Sequence, residues 1–199
     1  MLDEDSCGTE PLSFLERWLK EALEGGLAEP NAMVVSTVDR SGSPSARAVL
    51  LKQLTPEGLV FYTNYGSRKA REIEGNSAVA ATFVWPELER QVRVQGRVRK
   101  IERSQTESYF RSRPRGSQLA ALVSHQSERL SSRKELEERY AMLEKQYQNS
   151  EVPCPENWGG FLIMPTLVEF WQGRESRLHD RIVFELSGGN IWERRRLWP

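Results

Sequence analysis

At 199 residues and 22.9 kDa the chain is long enough to bury an apolar core without disulfide or metal staples. Hydrophobic residues make up 38% and charged residues 28%, a globular composition in which the longest apolar run, 78–85, is far too short to span a membrane. The formal net charge of zero argues against a protein held to nucleic acid by overall charge, yet residues 1–30 carry −6 and residues 31–130 carry +7.

Residues 1–11 read as a flexible acidic lead-in, and 12–199 as a single domain. The acidic opening lacks the basic start of a secretory signal, and Cys7 and Cys154 form no CxxC pair, as expected of a cytoplasmic protein. Leu12, Leu15, Trp18, Leu19, Ala22 and Leu23 recur at helical spacing until Gly25-Gly26, which predicts an amphipathic helix. Strands are predicted over 32–38 and 46–54, joined as a hairpin by the turn Asp39-Arg40-Ser41-Gly42, and over 59–63 after Thr55-Pro56-Glu57-Gly58. A short helix from Ser67 and a buried strand over 78–85 follow. Val92, Val94, Gly96 and Val98 then alternate with Arg93, Gln95, Arg97 and Arg99, the pattern of a long half-exposed strand.

Ser104 and Glu107 fit a capping box opening a helix to Ser112, with further helices over 118–123 and 133–148. The pattern returns to strands at 160–164, 167–171, 181–186 and 191–194, with Ser187-Gly188-Gly189-Asn190 as a hairpin turn. Strands outnumber helices and arrive as hairpins. The expected class is mainly β (α+β), an antiparallel sheet curled into a barrel with helices around it.

No phosphate loop, dinucleotide fingerprint, zinc-protease motif or nucleophile elbow is present, and two histidines are too few for a histidine-rich metal site. The chemistry-bearing residues form small clusters instead. Of the 28 basic residues 22 are arginine, which grips phosphate or carboxylate through parallel hydrogen bonds, although a solvated arginine-rich surface has the same composition. Alternation in 47–52 puts Lys52 on a face with Ala48 and Leu50, where it either pairs with an anion or reaches past the strand edge. Ser67-Arg68-Lys69 opens a helix with two cations at its N-terminus, a seat for phosphate or an ordinary charged start. Tyr109, Arg113 and Ser117 share one face if the helix continues through Pro114, and otherwise belong to an ordinary surface helix. Trp171 is a core residue or a stacking platform. Arg177, His179 and Arg181 alternate, so an extended segment turns all three the same way, and two arginines around a histidine call for an anionic or electron-rich group between them.

In this order the clusters resemble the pyridoxine (pyridoxamine) 5′-phosphate oxidase family. The resemblance rests on Arg-x-Val-Leu-Leu-Lys at 47–52, Phe-Tyr-Thr-Asn at 61–64, Ser-Arg-Lys at 67–69, Glu-Arg-Gln-Val at 89–92, Tyr-Phe-x-Ser-Arg-Pro-Arg at 109–115, Trp-Gly-Gly-Phe at 158–161, and Glu-Phe-Trp-Gln-Gly and Arg-Leu-His-Asp-Arg within 169–181. It implies a homodimeric FMN-binding split β-barrel that oxidises pyridoxamine or pyridoxine 5′-phosphate to pyridoxal 5′-phosphate, with O₂ as acceptor and H₂O₂ released. FMN would be held by Arg47, Val49, Leu50, Lys52, Tyr62, Thr63, Arg68, Lys69 and Gln91 of one subunit and by Gln126, Ser127, Trp171 and Arg181 of the other. Lys52, Tyr109, Arg113 and Ser117 would hold the substrate phosphate, with Arg177 and His179 facing the ring and its reacting carbon as the catalytic pair.

Two departures accompany the resemblance. Nothing here matches the Arg- and Tyr-bearing arm with which family members usually close over substrate; either such an arm is trimmed from this sequence or the lid is built differently, which leaves the mode of closure open. Trp198 stands where the family has a small residue. Two other readings compete: a split-barrel FMN-binding electron-transfer protein without the oxidase activity, and a nucleic-acid-binding barrel using Arg93, Arg97 and Arg99. The substrate cluster argues against the first, and zero net charge against the second.

Overall fold

A computed structural model describes residues 2–188 and 191–199, so the predicted 187–190 turn lies partly outside the described residues. Helices α1 (Glu4–Cys7) and α2 (Pro11–Glu24) precede strands β1 (Ala32–Val38), β2 (Pro44–Leu50), β3 (Gln53–Thr55) and β4 (Gly58–Asn64). Helix α3 (Arg68–Gly75) leads to β5 (Ala78–Trp85) and β6 (Arg90–Lys100). Helices α4 (Arg103–Ser112), α5 (Arg115–Val123) and α6 (Arg133–Gln146) come before β7 (Trp158–Gln172), β8 (Asp180–Ser187) and β9 (Ile191–Arg196).

The strands pair antiparallel in the order β2-β1-β5-β6-β7-β4-β3, with β8 on β7 and β9 on β8. Strand β7 is the branch point. One edge pairs with β6, while the other pairs with β4 over 158–163 and with β8 over 167–172. Between these halves Gln95 faces Leu167 and Gly96 faces Pro165, leaving Thr166 unmatched. This β-bulge re-aims the strand. Pro165 has no N–H for a ladder, and a Cβ on Gly96 would lie 2.1 Å from the Met164 carbonyl oxygen. Where the pattern predicts two short strands, one bent strand therefore serves both halves of the barrel.

The predicted 46–54 strand breaks at Leu51-Lys52. There the Leu51 N–H donates to the Asn31 carbonyl (2.8 Å) and the Lys52 N–H to the Val60 carbonyl (2.8 Å), turning the chain from β2 into β3 and curling the sheet back on itself. Inside the curl the period-two residues meet in rows: Val35, Ala81, Val94, Val168 and Phe184 are successive cross-strand partners, and all are fully buried. Helix α2 covers one side, with Phe14 and Trp18 packed on Phe170 at ring distances of 4.5 and 5.3 Å. Each such buried aromatic contributes about 1.5–3 kcal/mol.

The acidic lead-in is packed, not loose. Leu2 and Cys7 are buried, Asp3 caps α1, and Arg196 bonds Glu4 (2.8 Å), the Leu2 carbonyl (3.1 Å) and Asp180 (2.8 Å). The Arg196 hydrogen bond to Glu4 holds that carboxyl down at about 2. The predicted capping box does not form: α4 starts at Arg103 behind Glu102, Ser104 lies within the helix, and Glu107 pairs with Arg103 at 2.9 Å. Among the described residues no helix is long and apolar enough to cross a membrane.

Candidate active site

A cavity of about 570 Å³ opens between β2, β4, α3 and the α4–α5 junction, lined by Arg47, Val49, Leu50, Lys52, Tyr62, Thr63, Lys69, Tyr109, Arg113 and Gln126. Lys69 is 8% exposed. Its ammonium donates to Gln126 Oε1 (2.6 Å), Thr63 Oγ1 (3.0 Å) and Ser67 Oγ (3.4 Å), and no carboxylate pairs with it among the described residues. Burial, with the Arg47 charge nearby, pulls its pKa down to about 8. A buried cation surrounded only by neutral oxygens costs free energy unless an anion arrives.

Strand alternation turns Thr63 toward Lys69 and Tyr62 toward α4, where an aromatic stack forms the other wall. Tyr62 lies 4.0 Å from Tyr109 and 5.3 Å from Trp158, and the Arg113 guanidinium sits 4.6 Å from the Trp158 ring. Gly160 makes room for this stack, since a Cβ there would be 3.0 Å from the Tyr62 ring. Arg113 Nη1 is buried and meets no partner among the described residues. Burial lowers the Arg113 pKa and raises that of Tyr109, while burial and then the adjacent Tyr109 push Tyr62 up to about 12.

The helix does not continue from Tyr109 to Ser117. Arg113 adopts an extended conformation ahead of Pro114, which cannot donate an N–H to a continuing helix, so α5 starts afresh. Tyr109 and Arg113 reach the cavity together, whereas Ser117 is not among its lining residues. Lys52 lies beyond the end of β2 and is exposed at the cavity mouth, in line with the second of its two readings, a side chain that reaches past the strand edge.

Behind the Lys69 wall stands Glu72, buried on α3. Its Oε2 accepts from Thr37 (2.5 Å), Ser45 (2.6 Å) and Arg47 (3.3 Å), and its Oε1 accepts from Arg68 (2.7 Å). Burial alone would raise its pKa, but the hydrogen bonds from Ser45, Thr37 and Arg68 outweigh it and hold the group at about 2. The Arg68 side chain thus turns toward Glu72 while its backbone N–H donates to Ser127 Oγ (3.1 Å). Gln126 and Ser127 therefore sit beside Thr63, Arg68 and Lys69 of their own chain. That corrects their expected grouping with Trp171 and Arg181.

Of the remaining residues, Gln91, Trp171 and His179 line a second cavity of about 510 Å³, while Arg177 and Arg181 lie outside its lining. Gln91, Trp171 and Arg181 are consecutive cross-strand partners on β6, β7 and β8. His179 stacks on Trp171 at 4.6 Å, and its Nδ1 accepts the Arg174 N–H (3.1 Å). Arg181 pairs with buried Glu169 (2.9 Å) and donates to the Trp198 carbonyl (3.0 Å); Arg93 approaches the same carboxylate at 3.3 Å. The expected alternation of Arg177, His179 and Arg181 fails, because Glu175–Arg177 forms a tight turn with positive φ at Ser176 and Arg177. Arg177 is exposed at its edge.

Sequence reasoning assigned no site role to Trp158 or Glu72. Trp158 opens the Trp-Gly-Gly-Phe stretch, whose small residues beside an aromatic were the available signal. Glu72 had none, being one of two acidic residues on a short polar helix.

A sheet that forks along one bent central strand, with a cation-lined cavity beside the fork, defines a split β-barrel. Residues 19–146 match the family model described as pyridoxamine 5′-phosphate oxidase, and residues 158–199 match that of the pyridoxine 5′-phosphate oxidase C-terminal dimerisation region. The chain belongs to the pyridoxamine 5′-phosphate oxidase family. It is 52% identical over 198 residues to the pyridoxine/pyridoxamine 5′-phosphate oxidase of Rubrobacter xylanophilus (100% of this chain, 91% of that protein). The Leptospira interrogans protein of the same name is 49% identical over 198 residues (100% and 92%). Among solved structures, PhzG from Burkholderia lata in complex with tetrahydrophenazine-1-carboxylic acid superposes with a TM-score of 0.93 at 28% identity, covering 100% of this chain and 98% of that one. A pyridoxamine 5′-phosphate oxidase-related, FMN-binding protein from Nostoc punctiforme shares the fold, with a TM-score of 0.74 at 16% identity over 92% and 96% of the two chains.

Proposed function

We propose that this protein is an FMN-dependent oxidase that converts pyridoxamine 5′-phosphate and pyridoxine 5′-phosphate to pyridoxal 5′-phosphate, reducing O₂ to H₂O₂. The observation that carries the reading is a pair of cations in one cavity, buried Lys69 and half-buried Arg113 with its Nη1 buried and unpartnered, neither of which meets a carboxylate among the described residues. Cofactor and substrate would each bring a phosphate to that cavity. The donor set fits FMN: Arg47, Arg68, Lys69, Gln126 and Ser127 would hold its phosphate end, with Val49, Leu50, Tyr62 and Thr63 along the wall. Gln91, Trp171 and Arg181 would act across the interface of a homodimer, a grouping favoured by their adjacency across β6, β7 and β8 and by the match of 158–199 to a dimerisation region.

Bound FMN would supply two-electron redox chemistry, coupling oxidation of the substrate C4′ carbon to reduction of O₂ to H₂O₂; with the amine substrate, water would then replace the nitrogen, which leaves as ammonia. The protein's part is position. Arg113 and Tyr109, with Lys52 at the mouth and Ser117 at the start of α5, would grip the substrate phosphate and hold the ring at reacting distance. The Tyr62–Tyr109–Trp158 stack would keep water from that grip. Because His179 Nδ1 accepts the Arg174 N–H, its neutral ring carries the proton on Nε2. His179 would therefore orient substrate by donating from that atom, with Arg177 closing over the ring from the exposed turn. An FMN-binding electron carrier would share the Lys69 site but has no use for Arg113.

The test is to load the protein with FMN and add pyridoxamine 5′-phosphate without oxygen. The flavin bands should bleach and return on admitting air, with one H₂O₂ formed per aldehyde. Persistent yellow colour would overturn the oxidase, and failure to take up FMN would overturn the whole reading.

A further inference from the structure

Glu72 is a buried carboxylate that no part of the proposed reaction uses, yet it touches two of the guanidiniums assigned to the cofactor phosphate. Its side chain is 6% exposed, and four donors converge on it: Thr37 from β1, Ser45 and Arg47 from β2, and Arg68 one helical turn earlier on α3. Thr37 and Ser45 in turn bond Arg47, with Thr37 Oγ1 accepting from its Nη1 at 2.6 Å. Arg47 is thereby clamped from three sides by groups that all converge on one carboxylate.

A carboxylate in this position both offsets and orients. Arg47, Arg68 and Lys69 would repel one another if assembled alone, and Glu72 leaves the group a net charge of +2, which matches a phosphate dianion. Fixing a guanidinium's planar fork before the ligand arrives removes the rotamer entropy that it would otherwise lose on binding. We propose that Glu72 is a positioning residue for a phosphate monoester: it sets Arg47 and Arg68 through β1, β2 and α3 so that Arg47 and Lys69 present a fixed cationic edge to the phosphate end of FMN. This rests on the reading that the Lys69 cavity takes that phosphate.

The proposal makes an unusual prediction of sign. Glu72→Gln removes a negative charge next to a phosphate site, so electrostatics alone would tighten phosphate binding. A positioning role predicts the opposite. Apoprotein titrated with FMN and, separately, with riboflavin, which lacks the phosphate, should show Glu72→Gln weakening FMN about tenfold or more, with riboflavin affinity changed by less than about twofold. The ratio of the two affinities is the readout that a merely structural role would not move. Equal weakening of both flavins would reduce Glu72 to a folding residue, and unchanged or tighter FMN would reduce it to a counter-charge; either overturns the proposal. If Glu72→Gln does not fold, Ser45→Ala removes one donor to the carboxylate and one acceptor for Arg47, and it should lower the same ratio by about three- to fivefold. No change in that ratio would overturn the proposal. Wild-type apoprotein that binds FMN no more tightly than riboflavin would instead overturn the underlying phosphate assignment.

Discussion

In the cavity between β2, β4 and α4, buried Lys69 and half-buried Arg113 lie against neutral oxygens or aromatic faces. Across β6, β7 and β8, by contrast, Arg93 and Arg181 share the buried carboxylate of Glu169. Both regions are arginine- and lysine-rich and both lie beside cavities, so composition does not distinguish them. Charge closure does. Where the protein supplies its own counter-ion, the cations brace the sheet and meet ligands as hydrogen-bond donors. Where it withholds one, the folded state carries a cost that a phosphate can relieve.

The sharpest way to break this contrast is Lys69→Met. The variant keeps the side-chain length and removes the unpaired charge, so the apoprotein should melt at the same temperature or a few degrees higher, while FMN affinity drops about a hundredfold. Thermal melting and flavin fluorescence titration measure the two halves, and loss of both together would place Lys69 in ordinary packing. Glu169→Gln is the counterpart in the paired region. It strands two cations on a buried carboxamide and should cost about 2–3 kcal/mol in urea unfolding, with the preference for FMN over riboflavin unchanged.

The pH dependence sharpens the same point. The Lys69 pKa is about 8 in the fold against 10.5 in the unfolded chain, so between these values the unfolded state holds the extra proton. Apoprotein stability therefore receives a rising contribution from Lys69 as pH climbs from about 8 to 10.5. FMN affinity should fall over the same rise by up to about tenfold per pH unit, because the ammonium that meets the phosphate is lost. Lys69→Met should abolish both slopes. The smallest effect is expected from Trp198→Ala. Trp198 is 90% exposed and contributes only its carbonyl to Arg181, so urea unfolding should shift by less than about 0.5 kcal/mol.

Much of this architecture was legible in the residue pattern. The 32–38 and 78–85 strands and the alternation of 92–99 were readable because burial on one face imposes a period of two. The β7 fork was not, because Pro165 interrupts the alternation at the point where the strand bends from β4 to β8. The cation clusters at 47, 67–69 and 109–113 were visible as residue types. Their state of pairing was not, since Glu72 reaches Thr37 and Ser45 across 35 and 27 residues of sequence. The Arg177–Arg181 alternation misled for a local reason: two successive positive-φ residues turn the chain where residue type alone suggested an extended strand.

The joint between α1 and β9 brings together residues 192 positions apart, Glu4 and Arg196. A contact closing so long a loop must await the rest of the sheet, so it belongs to the downhill side of the folding barrier. Interactions of that kind leave the folding rate nearly untouched and act on the unfolding rate. Loosening the acidic start of the chain should therefore speed unfolding of the barrel while leaving its folding rate nearly unchanged.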